Sequence, residues 1–471
     1  MWTRVGFFVG ACVWAAGCST AADANPDDDS ELALEVASTV RDPGPRGGDR
    51  GAGGAFAGLS AEEKTFFDTN REIFAEVDSV SGQLAGEDGK GLGPTFNGNS
   101  CAQCHAEPDV GGSSSHPRLG HVRVANPQIG LATLDRAAGK AQRVPSFITA
   151  DGPIREARFV KNPDGSDDGG VHGLYTIAGR TDAPGCALAQ PDFEREVRKR
   201  NVIFRIPTPT FGAGLVEAVT DEALVANLVA NADAKDADGI HGALNRTGND
   251  GTVTRFGWKA QNKSMVVFAG EAYNVEQGVS NEVFTNERSA VPGCVFNGGP
   301  EDATNAATGE PSDVTAFALF MRLSAAPAAT THTPSELRGK ALFGTSADAG
   351  VGCVSCHSDS LVTGKSRYGG MSNVEFHPYS DFAIHHMGDD LADGVAQGGA
   401  SADQFRSAPL WGVGKRIFFL HDGRSGPDNG GLVNAILAHG GRGSEARKVI
   451  RRFTRLSAAD QQAIVDFLRS L

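Results

Sequence analysis

Two pentapeptides constrain this chain more than anything else in it: Cys101-Ala-Gln-Cys104-His105 and Cys353-Val-Ser-Cys356-His357. In C-x-x-C-H the two thiols form thioethers with the vinyl groups of a haem, and the adjacent histidine is carried under the iron as proximal ligand. A thioredoxin-like or zinc site would need a βαβ context or a second ligand pair, and neither is present in the sequence. Two copies therefore predict two covalently attached c-type haems, with His105 and His357 on the irons.

The stretches around the motifs echo each other. Ser60 and Glu63 form a capping box ahead of an amphipathic helix carrying Phe66, Phe67, Ile73 and Phe74. Thr333 and Glu336 repeat that start, followed by Gly339, Leu342 and Phe343. Downstream of the motifs, Pro209-Thr-Phe-Gly-Ala-Gly214 and Pro409-Leu-Trp-Gly-Val-Gly414 share the pattern P-x-aromatic-G-small-G. Repetition at this distance points to two related lobes from an old duplication. A last helix, capped by Ser457, puts Ile464, Phe467, Leu468 and Leu471 on one face and should pack on the helix ahead of the second motif. The expected fold is mainly α, with two cytochrome c-like haem lobes. The first, 58–330, carries a large insertion of loops and short strands, and the second is 331–471. At 471 residues the chain is long enough for two or three domains.

The N-terminus reads as an export signal. Arg4 precedes a short apolar run, Phe7 to Trp14, which ends at Ala15-Ala16-Gly17-Cys18-Ser19. That is a lipoprotein box, so 1–17 would be removed and Cys18 lipidated. Ordinary cleavage near Ala21-Ala22 is the alternative. Residues 18–57, rich in Asp, Gly, Pro and Ala, are expected to be a disordered tether. The implied location is the periplasm or cell surface, held to the outer membrane through lipid alone. Of the 8 cysteines, Cys12 falls in the signal, Cys18 takes the lipid and four belong to the two motifs, which leaves Cys186 and Cys294. In an oxidising compartment those two most simply pair. The net charge of -14 argues against a nucleic-acid partner.

What fills the sixth position on each iron decides the function: a strong ligand makes an electron relay, an open site beside an acid/base group makes a peroxidase. For the second haem the candidates are His385, His386, Met387, His421 and His439. His439 stands first, at the end of an apolar helix before two glycines, and Met387 is the alternative. For the first haem His116, His121 and His172 are available as ligand, proton shuttle or plain loop residue, with His172 the candidate catalytic group. Lys235-Asp-Ala-Asp238-Gly239 is either an acidic turn or part of a Ca2+ loop. Trp258 is either core or an electron bridge between the haems.

Several segments resemble the bacterial di-haem oxidoreductase family: Gly93 to His105, Asp167-Asp-Gly-Gly-Val-His172, Gly179 to Cys186, Phe211 to Ala218, Arg255-Phe-Gly-Trp-Lys-Ala260, Tyr379-Ser-Asp-Phe382, His386-Met-Gly388 and His421-Asp-Gly-Arg424. More distantly, Pro409 to Arg424 is similar to the second-haem region of di-haem cytochrome c peroxidases. The resemblance implies an electron-transfer C-terminal haem, with His439 matching the distal ligand, that feeds a catalytic N-terminal haem. It also implies a small periplasmic electron-transfer protein as donor and peroxide or another small oxidant as acceptor. Residues 122–200 hold no clear match to the peroxidases' catalytic glutamate loop.

Overall fold

The computed structural model describes residues 36–37, 39–82, 91–136, 142–181, 183–289, 291–295, 297–328, 330 and 332–471. The expected signal peptide and Cys18 lie outside the described residues. Helices predominate over short strands, and the architecture is a repeated helical frame with strand-bearing loops built onto it.

The frame follows from the echoes in the sequence. Helix Ala61–Phe74 starts at its capping box, with the Ser60 N–H donating to Glu63 at 2.8 Å and the Glu63 N–H donating to Ser60 Oγ at 3.2 Å. Helix Pro334–Phe343 starts the same way at Thr333 and Glu336. Each ends on a phenylalanine facing its motif histidine: Phe74 lies 6.2 Å from His105, and Phe343 lies 6.3 Å from His357, between ring centroids. Each also packs on a later helix. Phe74 meets Phe317 edge-on at 5.8 Å on Asp313–Leu323, and Phe343 meets Phe467 edge-on at 5.5 Å on Ala458–Ser470. Full burial of a phenylalanine is worth roughly 1.5–3 kcal/mol, so these rings are a main source of cohesion in each frame.

The P-x-aromatic-G-small-G segments lock the frame together. The second glycine of each lies against a carbonyl of its partner helix. A Cβ on Gly214 would sit 1.9 Å from the Arg322 oxygen, and one on Gly414 would sit 2.1 Å from the Arg469 oxygen. No larger residue fits such an approach. The two segments also meet each other, because Trp411 of the second covers Gly212 of the first. The last helix of the chain packs where the sequence places it. Its counterpart Asp313–Leu323 closes the first frame, although in sequence it falls at the far end of what reads as an insertion.

The rest of 122–330 is loops, short helices and small antiparallel sheets. The largest sheet among the described residues has the order Val171–His172, Glu156–Phe159, Val202–Arg205. A disulfide joins Cys186 to Cys294, 108 residues apart, within the apolar cluster around Phe96, Tyr175 and Ile177.

Two expectations need correction. The tether does not extend to residue 57. Asp42 pairs with Arg469, whose Nε and Nη2 approach its carboxylate at 2.7 and 2.6 Å. Val40 is buried in the C-terminal core, and the Phe56 N–H donates to the Leu323 oxygen at 2.8 Å. Apolar and ion-pair contacts that composition does not reveal tie 39–57 to the body. Lys235 to Gly239, read as an acidic turn or part of a Ca2+ loop, instead ends the helix Ala232–Asp238, and the Asp238 carboxylate is engaged by Arg452. No group of three or more His, Cys, Asp or Glu is placed to hold a metal ion among the described residues.

Candidate functional site

Each C-x-x-C-H motif opens onto its own cavity. In both, the motif histidine is fixed by a backbone carbonyl. His105 Nδ1 lies 3.0 Å from the Gly112 oxygen and His357 Nδ1 lies 2.8 Å from the Tyr379 oxygen. With Nδ1–H donating, Nε2 keeps its lone pair, the state a metal ligand needs. Burial pushes both imidazoles down to about 4, the effect outweighing the carbonyl contacts, so both are neutral at neutral pH.

The second cavity is lined by Cys353, Cys356, His357, Met387, His421 and His439 within a mostly apolar wall. His439 closes the helix Gly431–Ala438, and its Nδ1 lies 2.7 Å from the Ala435 oxygen. This third carbonyl-anchored imidazole also presents Nε2, and burial keeps it neutral. Met387 lines the same wall. His385 is excluded as a ligand because both ring nitrogens face carboxylates, Nδ1 at 2.8 Å from Glu445 and Nε2 at 3.1 Å from Asp381. His386 is exposed and paired with Asp403. His421 is buried with its ring stacked on Phe405 at 4.2 Å, and burial followed by the charges of Arg205, Arg424 and Lys259 holds it neutral. Arg416 is the plainest sign that the cavity takes an anionic group. It is 7% exposed and lines the wall, and its Nε and Nη2 have no hydrogen-bond partner. Haem propionates would supply that partner, so the residues present fit a haem.

The first cavity differs. Its lining includes Cys101, Cys104 and His105, three carboxylates (Glu156, Glu271 and Glu276) and the cations Arg155, Arg158 and Arg205. His105 is the only imidazole among its described lining residues. The expected partners lie elsewhere. His172 is stacked on Phe159 at 3.8 Å, with Nε2 3.1 Å from Asp168. His121 is bonded to Glu107 and His116 sits beside Phe418. A two-residue strand points His172 toward Phe159 rather than the cavity, so it is not placed to act there. Glu276 is the residue whose chemistry stands out. It lies in the π-helical turn Tyr273–Gln277, a distortion that often accompanies function. Burial first, then the nearby Glu156 and Glu271 charges, push its carboxyl up to about 8.

Trp258 belongs to both cavities. Its Nε1–H donates to the Ile206 oxygen at 3.0 Å, and its ring stands edge-on to His421 at 6.5 Å. The adjacent Lys259 is wholly buried. Its ammonium donates to the carbonyls of Ser401, Ala402 and Gln404, lies 3.4 Å from Asp393 and sits 4.1 Å over Phe405. Asp393 also pairs with Arg205 of the first cavity. A charged, hydrogen-bonded block thus fixes the tryptophan at the junction. With haem at both motifs, the expected result of Trp258→Phe is slower electron exchange between the two sites, by about tenfold or ~1.4 kcal/mol in barrier. Stopped-flow absorbance would measure it.

The glutamates were out of reach of sequence reasoning, since three carboxylates scattered over 120 residues share no motif. Arg416 and Lys259 do lie within segments that carried the family resemblance.

A family model described as "Di-haem oxidoreductase, putative peroxidase" matches residues 160–471. Among solved structures, the chain is similar to a MauG-like protein associated with microbial copper homeostasis. The identity is 16%, over 56% of this chain and 89% of that chain, with a TM-score of 0.30. No curated protein matches the chain.

Proposed function

Because the chain belongs to the di-haem oxidoreductase family, we propose that it is an exported enzyme with two c-type haems of unequal duty. Cys101, Cys104 and His105 would hold one haem, and Cys353, Cys356 and His357 the other. The Cys101–His105 site is the catalytic one, and the Cys353–His357 site would pass electrons to it. Peroxide or another small oxidant reacts at the first, and a small periplasmic electron-transfer protein supplies the second. Residues 58–330 and 331–471 are the corresponding lobes. Lipid on Cys18 holds the protein at the periplasmic or outer cell surface.

The observation that carries this reading is the asymmetry of the two cavities. Two carbonyl-anchored imidazoles, His357 and His439, line the second. One imidazole and three carboxylates line the first. A haem at His105 would supply an iron that exchanges electrons with a bound oxidant. The protein's part is proton management. Glu276 is held as the neutral acid below pH of about 8, so it can donate a proton to an oxygen leaving group. Arg155, Arg158 and Arg205 balance charge along the same wall, and Trp258 connects the cavities.

Absorption and EPR spectra of the oxidised and half-reduced holoprotein test the reading. A high-spin component from one haem, with a spectral change and donor oxidation on adding hydrogen peroxide, is expected. Two low-spin haems in both states, unchanged by peroxide, would leave a relay without catalysis and overturn it.

A further inference from the structure

We propose that a cleft between residues 41–48 and 118–123, separate from both haem cavities, binds a small organic or inorganic molecule bearing two or more oxyanion groups. The first observation is charge. The chain carries -14 overall, yet Arg41, Arg46, Arg118 and Arg123 all line this cleft. The one carboxylate in its lining, Asp42, is taken up by Arg469. Asp151 pairs with Arg118 at 2.9 Å, with both side chains largely in solvent, where such a pair is weak and readily exchanged. Concentrated guanidinium on an acidic protein focuses a positive field where an anion is attracted.

The second observation is construction. The wall formed by 41–48 is held by Lys415, which donates to the Gly47 and Asp49 carbonyls, and by the Asp42–Arg469 pair. The wall formed by 118–123 is held by Glu107, a fully buried carboxylate that accepts from the His121 and Val122 N–H groups. His121 joins the walls, because its Nε2 lies 3.1 Å from the Gly48 oxygen. Walls fixed in advance lower the ordering cost of binding. The cleft volume of about 620 Å3 suits a small molecule. Guanidinium forks favour carboxylate or phosphate, which accept two parallel hydrogen bonds.

Position gives the cleft a further interest. It shares no lining residue with either haem cavity. Leu119 and Ile417 of its lining nevertheless join Ile206 and Phe418 in the apolar cluster on which Trp258 packs. The cleft wall is therefore continuous with the apolar packing of the residue that the two cavities share.

Isothermal titration of the holoprotein with citrate and with pyrophosphate, against sodium chloride of equal ionic strength, tests the proposal. Saturable one-to-one binding of at least one anion is expected, weakened at least about tenfold in Arg118→Gln/Arg123→Gln. The haem absorption bands of that variant should be unchanged, since both side chains are exposed. Citrate alone binding identifies a carboxylate ligand and pyrophosphate alone a phosphate ligand. Arg41→Gln is an independent second variant expected to weaken binding in the same direction. Failure of both anions to saturate, or affinities unaltered in both variants, overturns the proposal.

Discussion

His439→Ala is expected to turn one low-spin haem high-spin while both haems stay covalently attached. The argument rests on where the imidazole is held. His439 ends the helix Gly431–Ala438, and its Nδ1 is tied to the Ala435 carbonyl, which directs Nε2 to the cavity that His357 also lines. Removing the ring deletes a strong-field nitrogen without touching Cys353, Cys356 or the His357 anchor. Met387 lines the same cavity, so Met387→Ala is the discriminating control. If the methionine were the ligand, that variant would go high-spin and His439→Ala would not. EPR of the oxidised protein reads the outcome directly, and an unchanged low-spin spectrum in His439→Ala would exclude it as a ligand.

The sequence made the two frames legible through local rules with few exceptions. Capping boxes at Ser60 and Thr333 and the glycine patterns at 209–214 and 409–414 are fixed by backbone chemistry that acts within a few residues, and all four appear where expected. The partner of the first frame was not legible. Asp313–Leu323 falls in the stretch expected to be an insertion of loops and short strands, and only three-dimensional packing shows that it is a helix doing for Phe74 what Ala458–Ser470 does for Phe343. The same limit explains residues 39–57. Their composition suggests a free chain, and it takes Asp42 meeting Arg469, more than 400 positions away, to fasten them.

The site divides along the same line. The cysteines and histidines of C-x-x-C-H are a contiguous signature. A glycine-terminated helix near the second motif put His439 first, and the structure lines the second cavity with it. Trp258 could be named but not placed. The choice of His172 failed for a physical reason: histidine is the habitual acid/base residue, but strand geometry points this one at Phe159 and Asp168. The structure offers a carboxyl instead, from a helix distortion that no local pattern announces.

Glu276→Gln is expected to cut peroxide turnover by roughly 10²–10⁴-fold, the usual worth of a positioned general acid. The side chains are nearly the same size, so binding and packing should survive and the loss should fall on kcat. The pH dependence supplies the sharper test. Burial, then the charges of Glu156 and Glu271, raise the Glu276 carboxyl from the ordinary carboxylate range to about 8. A raised acid keeps its proton through neutrality and yields it as pH passes its folded value. Activity that depends on that proton is therefore present below pH 8 and falls above it. In Glu276→Gln the residual activity should show no such fall, because the amide does not titrate there. Glu156→Gln and Glu271→Gln remove neighbouring negative charge, which lowers the Glu276 pKa and should move the alkaline limb to lower pH while sparing most of the rate at pH 6. An alkaline limb that persists in Glu276→Gln would assign the proton to another group. A wild-type profile flat through pH 9 would mean that no buried carboxyl gates the chemistry at His105.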